Sequence, residues 1–536
     1  MKYLFTLLMA LTCVGAFAQW TTDTAANTLV ADAESGDMQA LGTSTGMTYV
    51  VFWKPVALPT NFELRLQILD AQGNQTLGPD GQLVSTNLPM STFTVIWNIA
   101  IDASNNLYIG CTGTGGGDPA FLFKFDTSGN PQYGANGVQV GSGNVVTPMP
   151  LSNGGALVGW YGSSGAVMQE YDNTGTAVWP SAQPLEVGAS DTVPAQFFQL
   201  SGGDYLAVYH KQLGGINSHL YAQRYDSNGD PIWGSPLQIA NQATAFNRSY
   251  SYAQDGDACY VGYFGSTGVR FDSFLQRVDA NGTLPWGING SDFDTNQTDY
   301  ETYTSIAFDP SSSSIWSVCS YTNTSQSEVG EYVQKFDKTT GARGLTDNAK
   351  QVYAIGSDNV HAGALQLMDD SPLFLLKKGF DNGATPVTLD VVYLDANGDF
   401  AWPEESRPVA TFSAHKSRIQ YTKPANHQSV AVFIENKGSG DRIYAQNFLD
   451  EELGVTEQEV FNVRFTNPVK EWLHVQSEVP LVELTVYNVL GRALVNKSLN
   501  GLQQVSLPVP SWTSGFYFLK LIDTQGRSQV VQVVKE

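Results

Sequence analysis

The chain has 536 residues, 51 acidic and 28 basic, for a formal net charge of -23. So negative a surface excludes a nucleic-acid backbone or an anionic bilayer as the natural partner. Only 15% of residues are charged, and 52 Gly, 27 Phe, 24 Tyr and 11 Trp sit among short alternating runs, an all-β composition with almost no helical periodicity.

In chain order, Lys2, the apolar run Tyr3 to Val14 and the small-x-small site Ala16-Phe17-Ala18 read as a secretory signal peptide over residues 1–18. That run is too short to span a bilayer. No later stretch reaches the roughly 18 apolar residues a span requires, so no transmembrane segment is expected. Loss of Cys13 with the signal leaves Cys111, Cys259 and Cys319, each in an apolar strand of a different repeat. They are expected to be buried and unpaired, with a Cys259–Cys319 bridge as the alternative.

The repeat is plainest at YAQRYDSNGDPIW, Tyr221 to Trp233. Asn228-Gly229 between alternating runs predicts a two-residue type I′ hairpin turn. Copies recur at Asp70, Asp126, Asp172, Asp279, Asp337 and Asp395, with a frayed copy at Leu449, in steps of 46 to 58 residues. Before each turn stand two more apolar strands, as in AQFFQLSGGDYLAVYH, Ala195 to His210. One unit of about 54 residues is therefore four antiparallel strands, a to d. Such a sheet has two apolar faces, and units ringed about an axis bury both.

These units predict a β-propeller over residues 19–454, with eight blades favoured. Seven is the alternative if a degenerate unit lies outside the ring. The eighth unit, Ala410 to Leu449, lacks a d strand, whereas Asn27 to Ala31 resembles one. The N-terminal strand is expected to complete the last blade and hide two open sheet edges. Trp179, Trp233, Trp286 and Trp402 are expected to pack between blades.

Residues 455–536 carry no copy of the repeat and suggest about seven short strands in a small β-sandwich. FTNPVKEWLHV (Phe465 to Val475), LTVYNVLGRAL (Leu484 to Leu494), SGFYFLKL (Ser514 to Leu521) and the VVQVVKE tail resemble the type A C-terminal sorting domain of type IX secretion cargo. Asn467-Pro468, Tyr487-Asn488, Gly491, Gly515 and Tyr517 fall at that family's turn and strand markers. Gln532 departs from it, standing where the family often has Lys. The resemblance implies handling by the type IX translocon and sorting machinery of a Gram-negative bacterium. Export across the outer membrane and release or anchoring at the cell surface would follow. The repeat resembles uncharacterised repeats in other secreted cargo of that pathway, which brings no activity with it.

Motifs for chemistry are sparse. Gly42 to Gly46 fits G-x-S-x-G, but joins two strands where a nucleophile elbow joins a strand to a helix. The six His show no zinc spacing. In SDFDTNQTDYE, Asp292, Asp294 and Asn296 resemble the opening of a calcium loop, with Asp299 and Glu301 nearby. The Gly at position six is missing, and position twelve is Tyr303. Structural calcium is the one cofactor suggested. Loops of variable length on one face offer Trp53, Tyr161, His210, Tyr263, Arg270, Tyr300, Tyr303 and Lys377 as contacts for a glycan or protein. The expected function is a secreted or surface-displayed, non-catalytic binding or adhesion protein. The alternative is an extracellular polysaccharide hydrolase or lyase with its site in the axial channel.

Overall fold

The computed structural model describes residues 20–57, 61–92, 96–248, 250–266, 268–379, 385–426, 428–449, 461–489, 492–524 and 527–536. The signal segment and Gly491 lie outside them. The chain divides between residues 449 and 450 into two compact units. Among the described residues every regular element is a strand, and no helix is long and apolar enough to cross a membrane.

In the larger unit, four-stranded antiparallel sheets follow one another in chain order. The first is Asp37–Gly42, Thr48–Pro55, Phe62–Leu69 and Gln82–Leu83; the second is Asn98–Ile101, Leu107–Thr112, Pro119–Phe125 and Val138–Ser142. Later sheets begin at Asn144, Thr192, Ser251, Tyr300 and Asn359, two of them merging through the pair Ala243↔Ser266. The last chain segment supplies three strands, Lys416–Tyr421, Val430–Asn436 and Asp441–Asn447. Its fourth is Thr28–Glu34 from the other end of the unit, in antiparallel register Thr28↔Ala445 and Leu29↔Tyr444. The predicted closing strand is thus in place. The last sheet starts later than expected, because Ala410 pairs with Leu389 in the sheet before it. Asp37–Gly42 lies beside both Asn98–Ile101 and Lys416–Tyr421, so the succession returns to its start.

Central strands are buried along their whole length, Thr48 to Trp53 and Leu107 to Thr112 among them. Continuous rather than alternating burial means that both faces of each sheet are covered. One apolar cluster joins Tyr49, Val51 and Leu66 of the first sheet to Leu107, Ile109 and Phe123 of the second. Another joins Val318, Leu375 and Phe433 across three sheets. Cys111, Cys259 and Cys319 are free and buried.

The repeated turn differs from the type I′ turn predicted. Gly229 takes φ +82°, but Asn228 is not among the residues at positive φ. The Gly229 N–H donates to the Asp226 carbonyl at 3.0 Å. Asp226 Oδ1 accepts the N–H groups of Asn228 and Asp230 at 2.8 and 3.0 Å. This is a type I turn ending in a left-handed glycine, and the aspartate's bond to its own backbone explains why Asp is the constant residue. Asp70, Asp126, Asp172 and Asp395 repeat the pattern. The Thr174 hydroxyl, with the N–H groups of Thr176 and Thr174, holds the Asp172 carboxyl below its ordinary range. Asp279 departs, giving its carboxylate to Arg277 at 2.7 Å.

The turn glycine has a second duty. A Cβ on Gly229 would stand 3.0 Å from the Trp179 ring of the preceding unit, whose Nε1 donates to the Ser227 carbonyl at 2.9 Å. Tyr133 lies likewise against Gly175, Trp233 against Gly282 and Trp286 against Gly341. Four units thus seat an aromatic ring on the next unit's turn, whereas Gly129 meets Leu77 and Gly398 meets Lys350, Val333 and Leu345. Trp402 is different, packing on Tyr393 and under the Arg407 guanidinium, 3.9 Å away. The first turn, at Gly73, receives Trp20, which is buried and donates to the Ala71 carbonyl at 3.0 Å. The sequence reading overlooked Trp20.

The smaller unit is a single five-stranded hydrogen-bonded sheet rather than the seven short strands expected. Trp472–Asn488 pairs with Val463–Phe465, Ala493–Pro508 and Gly515–Asp523, and Ser528–Lys535 completes the sheet. Tyr517, Leu519 and Leu521 alternate inward, which gives this sheet its own core.

If the Trp20 seat closes the larger unit, Trp20→Ala costs about 3 kcal/mol, the loss typical of a buried aromatic. Urea unfolding should place it level with Trp179→Ala. A cost below about 1 kcal/mol, in the range of ordinary surface substitutions, would make Trp20 an incidental contact.

Candidate functional site

The first strands of six sheets line one cavity of about 950 Å³, among them Gln39 to Leu41, Tyr250, Thr302 to Ser305, His361 and Gln420. A second cavity of about 460 Å³ shares His361, Gly363 and Lys377 with it and adds His415, Lys416 and Arg418. Among the described residues, no Asp or Glu lines either cavity.

These first strands are bulged. Register breaks between Thr302 and Ser305, between Ala362 and Gln366, and between Ser417 and Gln420. Tyr303, Gly363 and Arg418 occupy the breaks with φ +53°, +73° and +53°. A bulky residue is rarely held left-handed, and bulges of this kind re-aim side chains. Tyr303 is 57% exposed, its ring 6.1 Å from Phe264, and the Arg248 guanidinium lies 5.9 Å from that same ring.

On another wall, His361 Nδ1 lies 2.6 Å from Oε1 of the fully buried Glu331. The other Glu331 oxygen accepts from the Ser320 hydroxyl at 3.1 Å and from the His361 N–H at 3.2 Å. In the neutral ring, a proton on Nδ1 leaves Nε2 as the acceptor. Ser320 Oγ also approaches Nδ1, at 3.3 Å. Base and orienting carboxylate would need opposite ring nitrogens, so Ser320, His361 and Glu331 do not form a nucleophilic triad. Lys416 is fully buried and paired with Glu435 at 2.9 Å, and Arg418 pairs with Asp37 at 3.0 Å.

The eight loop candidates separate sharply. Tyr303 and Lys377 line the cavity. Trp53 and Tyr263 are wholly buried, the Tyr263 hydroxyl donating to the Asn289 carbonyl at 2.9 Å. His210 is buried against Ser218 at 2.8 Å, and desolvation pushes its imidazole down to about 3. These three belong to the core, because the strands that carry them have both faces covered. Arg270 is buried in an ion pair with Asp272 at 2.5 Å and donates to the Asp299 carbonyl. Tyr300 and Tyr161 are half-buried.

The acidic loop regroups. Asp292 and Asp294 do converge, but with Glu301, ligand oxygens of all three lying within 4.8 Å of one another. Asn296 turns away, donating to Asp299 and accepting the Thr298 N–H, each at 2.7 Å. Glu301 Oε2 accepts the Ser273 N–H at 2.9 Å, and Tyr321 donates to Asp294 at 2.5 Å. Desolvation, reinforced by the Asp294 charge, pushes the Glu301 carboxyl up to about 10. Desolvation and the Asp272 charge bring Asp292 to about 6. Three carboxyls so placed need either a shared proton or a cation, and Asp292, Asp294 and Glu301 are the residues that could hold one.

In the smaller unit, Asn467 accepts the Val534 N–H at 2.9 Å, and Asn488 accepts that of Arg492 at 3.0 Å. Asn488 pairs with Tyr517, and Tyr487 with Phe518. The Tyr517 hydroxyl donates to the Thr513 carbonyl at 2.9 Å, its ring 4.7 Å from Trp512. Pro468 follows Asn467 in the turn before Trp472, and Gly515 opens a strand.

Residues 465–536 match the family described as the secretion system C-terminal sorting domain, which supports type IX secretion cargo bound for the cell surface or extracellular space. No curated relative matches the sequence. Among solved structures, the chain is similar to a puromycin hydrolase at 13% identity and a TM-score of 0.39, covering 78% of this chain and 61% of that one. It thus spans about three fifths of that enzyme's length. A protein of unknown function from Dyadobacter fermentans is similar at 8% identity and a TM-score of 0.37, over 78% of this chain and 97% of that one. An ulvan lyase is similar at 12% identity and a TM-score of 0.29, over 84% and 92%.

Glu301 decides between proton and cation. An unfolded glutamate titrates at about 4.3, so stability from the folded-state proton is fully present below that pH. It is lost as pH rises through about 10. Glu301→Gln keeps the neutral form, and in chelator its Tm should match the parent near pH 4 and exceed it at pH 8. A calcium-dependent rise in the parent's Tm that the variant lacks would instead assign a cation to the cluster.

Proposed function

We propose that the larger unit is an eight-bladed β-propeller, delivered by type IX secretion, that binds a glycan or protein in its central cavity without transforming it. The Leu29↔Tyr444 register and the return of the last first strand to Asp37–Gly42 support the eight-fold ring. The sorting-domain match supports delivery to the cell surface or beyond, the place for an adhesion protein. We infer that residues 455–536 form the sorting domain.

One observation carries the non-catalytic reading: among the described residues, no Asp or Glu lines the cavity. A glycosidase needs two carboxyls about 5–10 Å apart around the scissile bond. The one group of three clustered acids among the described residues, Asp292, Asp294 and Glu301, lies outside the lining and is buried or half-buried. A second reading, a lyase, is favoured only by His361. A histidine oriented by Glu331 has the character of a general base for abstracting a proton beside a carboxylate.

A glycan and matrix-protein array probed with the secreted chain should show binding, while the same polysaccharides in solution show no new reducing or unsaturated ends. Turnover that disappears in His361→Ala would replace the binding reading with the lyase.

A further inference from the structure

We propose that the central cavity takes a neutral oligosaccharide, stacked on the Tyr303 ring and hydrogen-bonded by the side-chain amides of Gln39 and Gln420. The inference rests on the binding reading above and names the class of ligand.

The aromatic wall is the first argument. Tyr250, Phe264, Phe271 and Tyr303 all line the cavity. Phe264 joins them, its ring 5.7 Å from Tyr250, 6.2 Å from Phe271 and 6.1 Å from Tyr303. Phe264 is buried, Tyr250 and Phe271 are half-buried, and Tyr303 is the exposed ring of the four. Bulges in other first strands place Val145 and Gly363 at positive φ, whereas this one holds a tyrosine at +53°. A bulky residue in that conformation is held there by its surroundings, and such residues cluster at ligand sites. An exposed ring on a packed aromatic base is a platform for the apolar face of a sugar.

The amides are the second. Gln420 Oε1 accepts the Ala40 N–H at 2.6 Å, which leaves its NH2 group as a donor. Gln39 Nε2 donates to the Trp97 carbonyl, which leaves its Oε1 as an acceptor. Both side chains line the cavity from neighbouring first strands. One donor beside one acceptor matches a pair of adjacent sugar hydroxyls, each of which can do both. Thr322, also in the lining, adds a buried hydroxyl with no hydrogen-bond partner among the described residues.

Charge offers no comparable handle. Among the described residues no Asp or Glu lines the cavity, His361 is held by Glu331 at 2.6 Å, and Lys377 has a partner of its own. Arg248 lies over Phe264, 5.9 Å from the ring centre, as part of the aromatic wall. Stacking and uncharged hydrogen bonds remain, and these suit a neutral sugar. The volume of about 950 Å³ stands near the top of the range for small-ligand sites, roughly 300–1,000 Å³, so several linked units fit better than one. An extended peptide is disfavoured by the backbone. It would bind a sheet edge by continuing the ladder, and the edge strands here are broken at Val145, Tyr303, Gly363 and Arg418.

Titration calorimetry on the full secreted chain tests this with cellotetraose, laminaritetraose, mannotetraose, tetragalacturonate and decaproline. At least one neutral tetrasaccharide should bind with a Kd below about 1 mM, and added salt should leave that affinity unchanged. Tyr303→Ala should weaken it about tenfold, whereas Tyr303→Phe, which keeps the ring, should stay within about twofold of the parent. Thr322→Val should weaken it about fivefold without lowering the Tm, and melting curves check that every variant is folded. Neutral-sugar binding indifferent to Tyr303→Ala overturns the proposal. So does tighter binding of tetragalacturonate or of decaproline than of every neutral sugar. No binding of any neutral sugar, alongside a protein ligand on the array, overturns it and leaves the binding reading standing. Shorter sugars released from the bound tetrasaccharide would support the ligand class and end the non-catalytic reading.

Discussion

The contact on which the larger unit depends is an aromatic ring laid on the left-handed glycine of the next unit's turn. Glycine is needed there twice. Its φ of +82° at Gly229 ends a type I turn, and a Cβ would run into the Trp179 indole. The aspartate that opens the turn fixes its shape by accepting two of the turn's own N–H groups. Rigid turn and seated ring therefore form one joint, repeated between most neighbouring units. A tandem array jointed in this way would leave the first turn bare. Trp20 fills it, and Thr28–Glu34, a few residues on, completes the last sheet. A single short segment thus closes both the aromatic series and the last sheet, and Thr28–Glu34 covers the edge of Asp441–Asn447.

Closure also creates the cavity. First strands from distant parts of the sequence arrive side by side, and their inner edges have no further strand to pair with. Bulges at Tyr303, Gly363 and Arg418 blunt those edges and turn side chains inward. Buried acids near these strands are engaged with partners, Glu331 with His361, Glu435 with Lys416, and Asp292, Asp294 and Glu301 with one another.

Much of the framework was legible in the residues. The Asp-x-x-Gly spacing marked most units, Asn27 to Ala31 read as the missing strand, and the three buried thiols followed from apolar neighbours. Three things were not legible. Asn228-Gly229 suggested a type I′ turn because the aspartate's backbone bonds, which favour type I, are invisible in a dipeptide signal. Trp20 precedes any recognisable repeat, so its role shows only once the ring is closed. The site was the least legible, because its lining comes from the first strands of six sheets and from their neighbours, spread between Gln39 and Tyr421. Loop position misled for Trp53, His210 and Tyr263, whose strands continue inward past the point where a polar loop seemed to begin. Glu301 displaced Asn296 because strand geometry beyond the loop, and not loop spacing, brings the third carboxyl to Asp292 and Asp294.

The central claim is that residues 28–34 are an integral strand of the last sheet. Native-state hydrogen exchange, followed by mass spectrometry of peptides covering 28–34 and 441–447, tests it most directly. Both peptides should exchange together, at the slow rate of global opening. Fast exchange of 28–34 while 441–447 stays protected would contradict the closed ring.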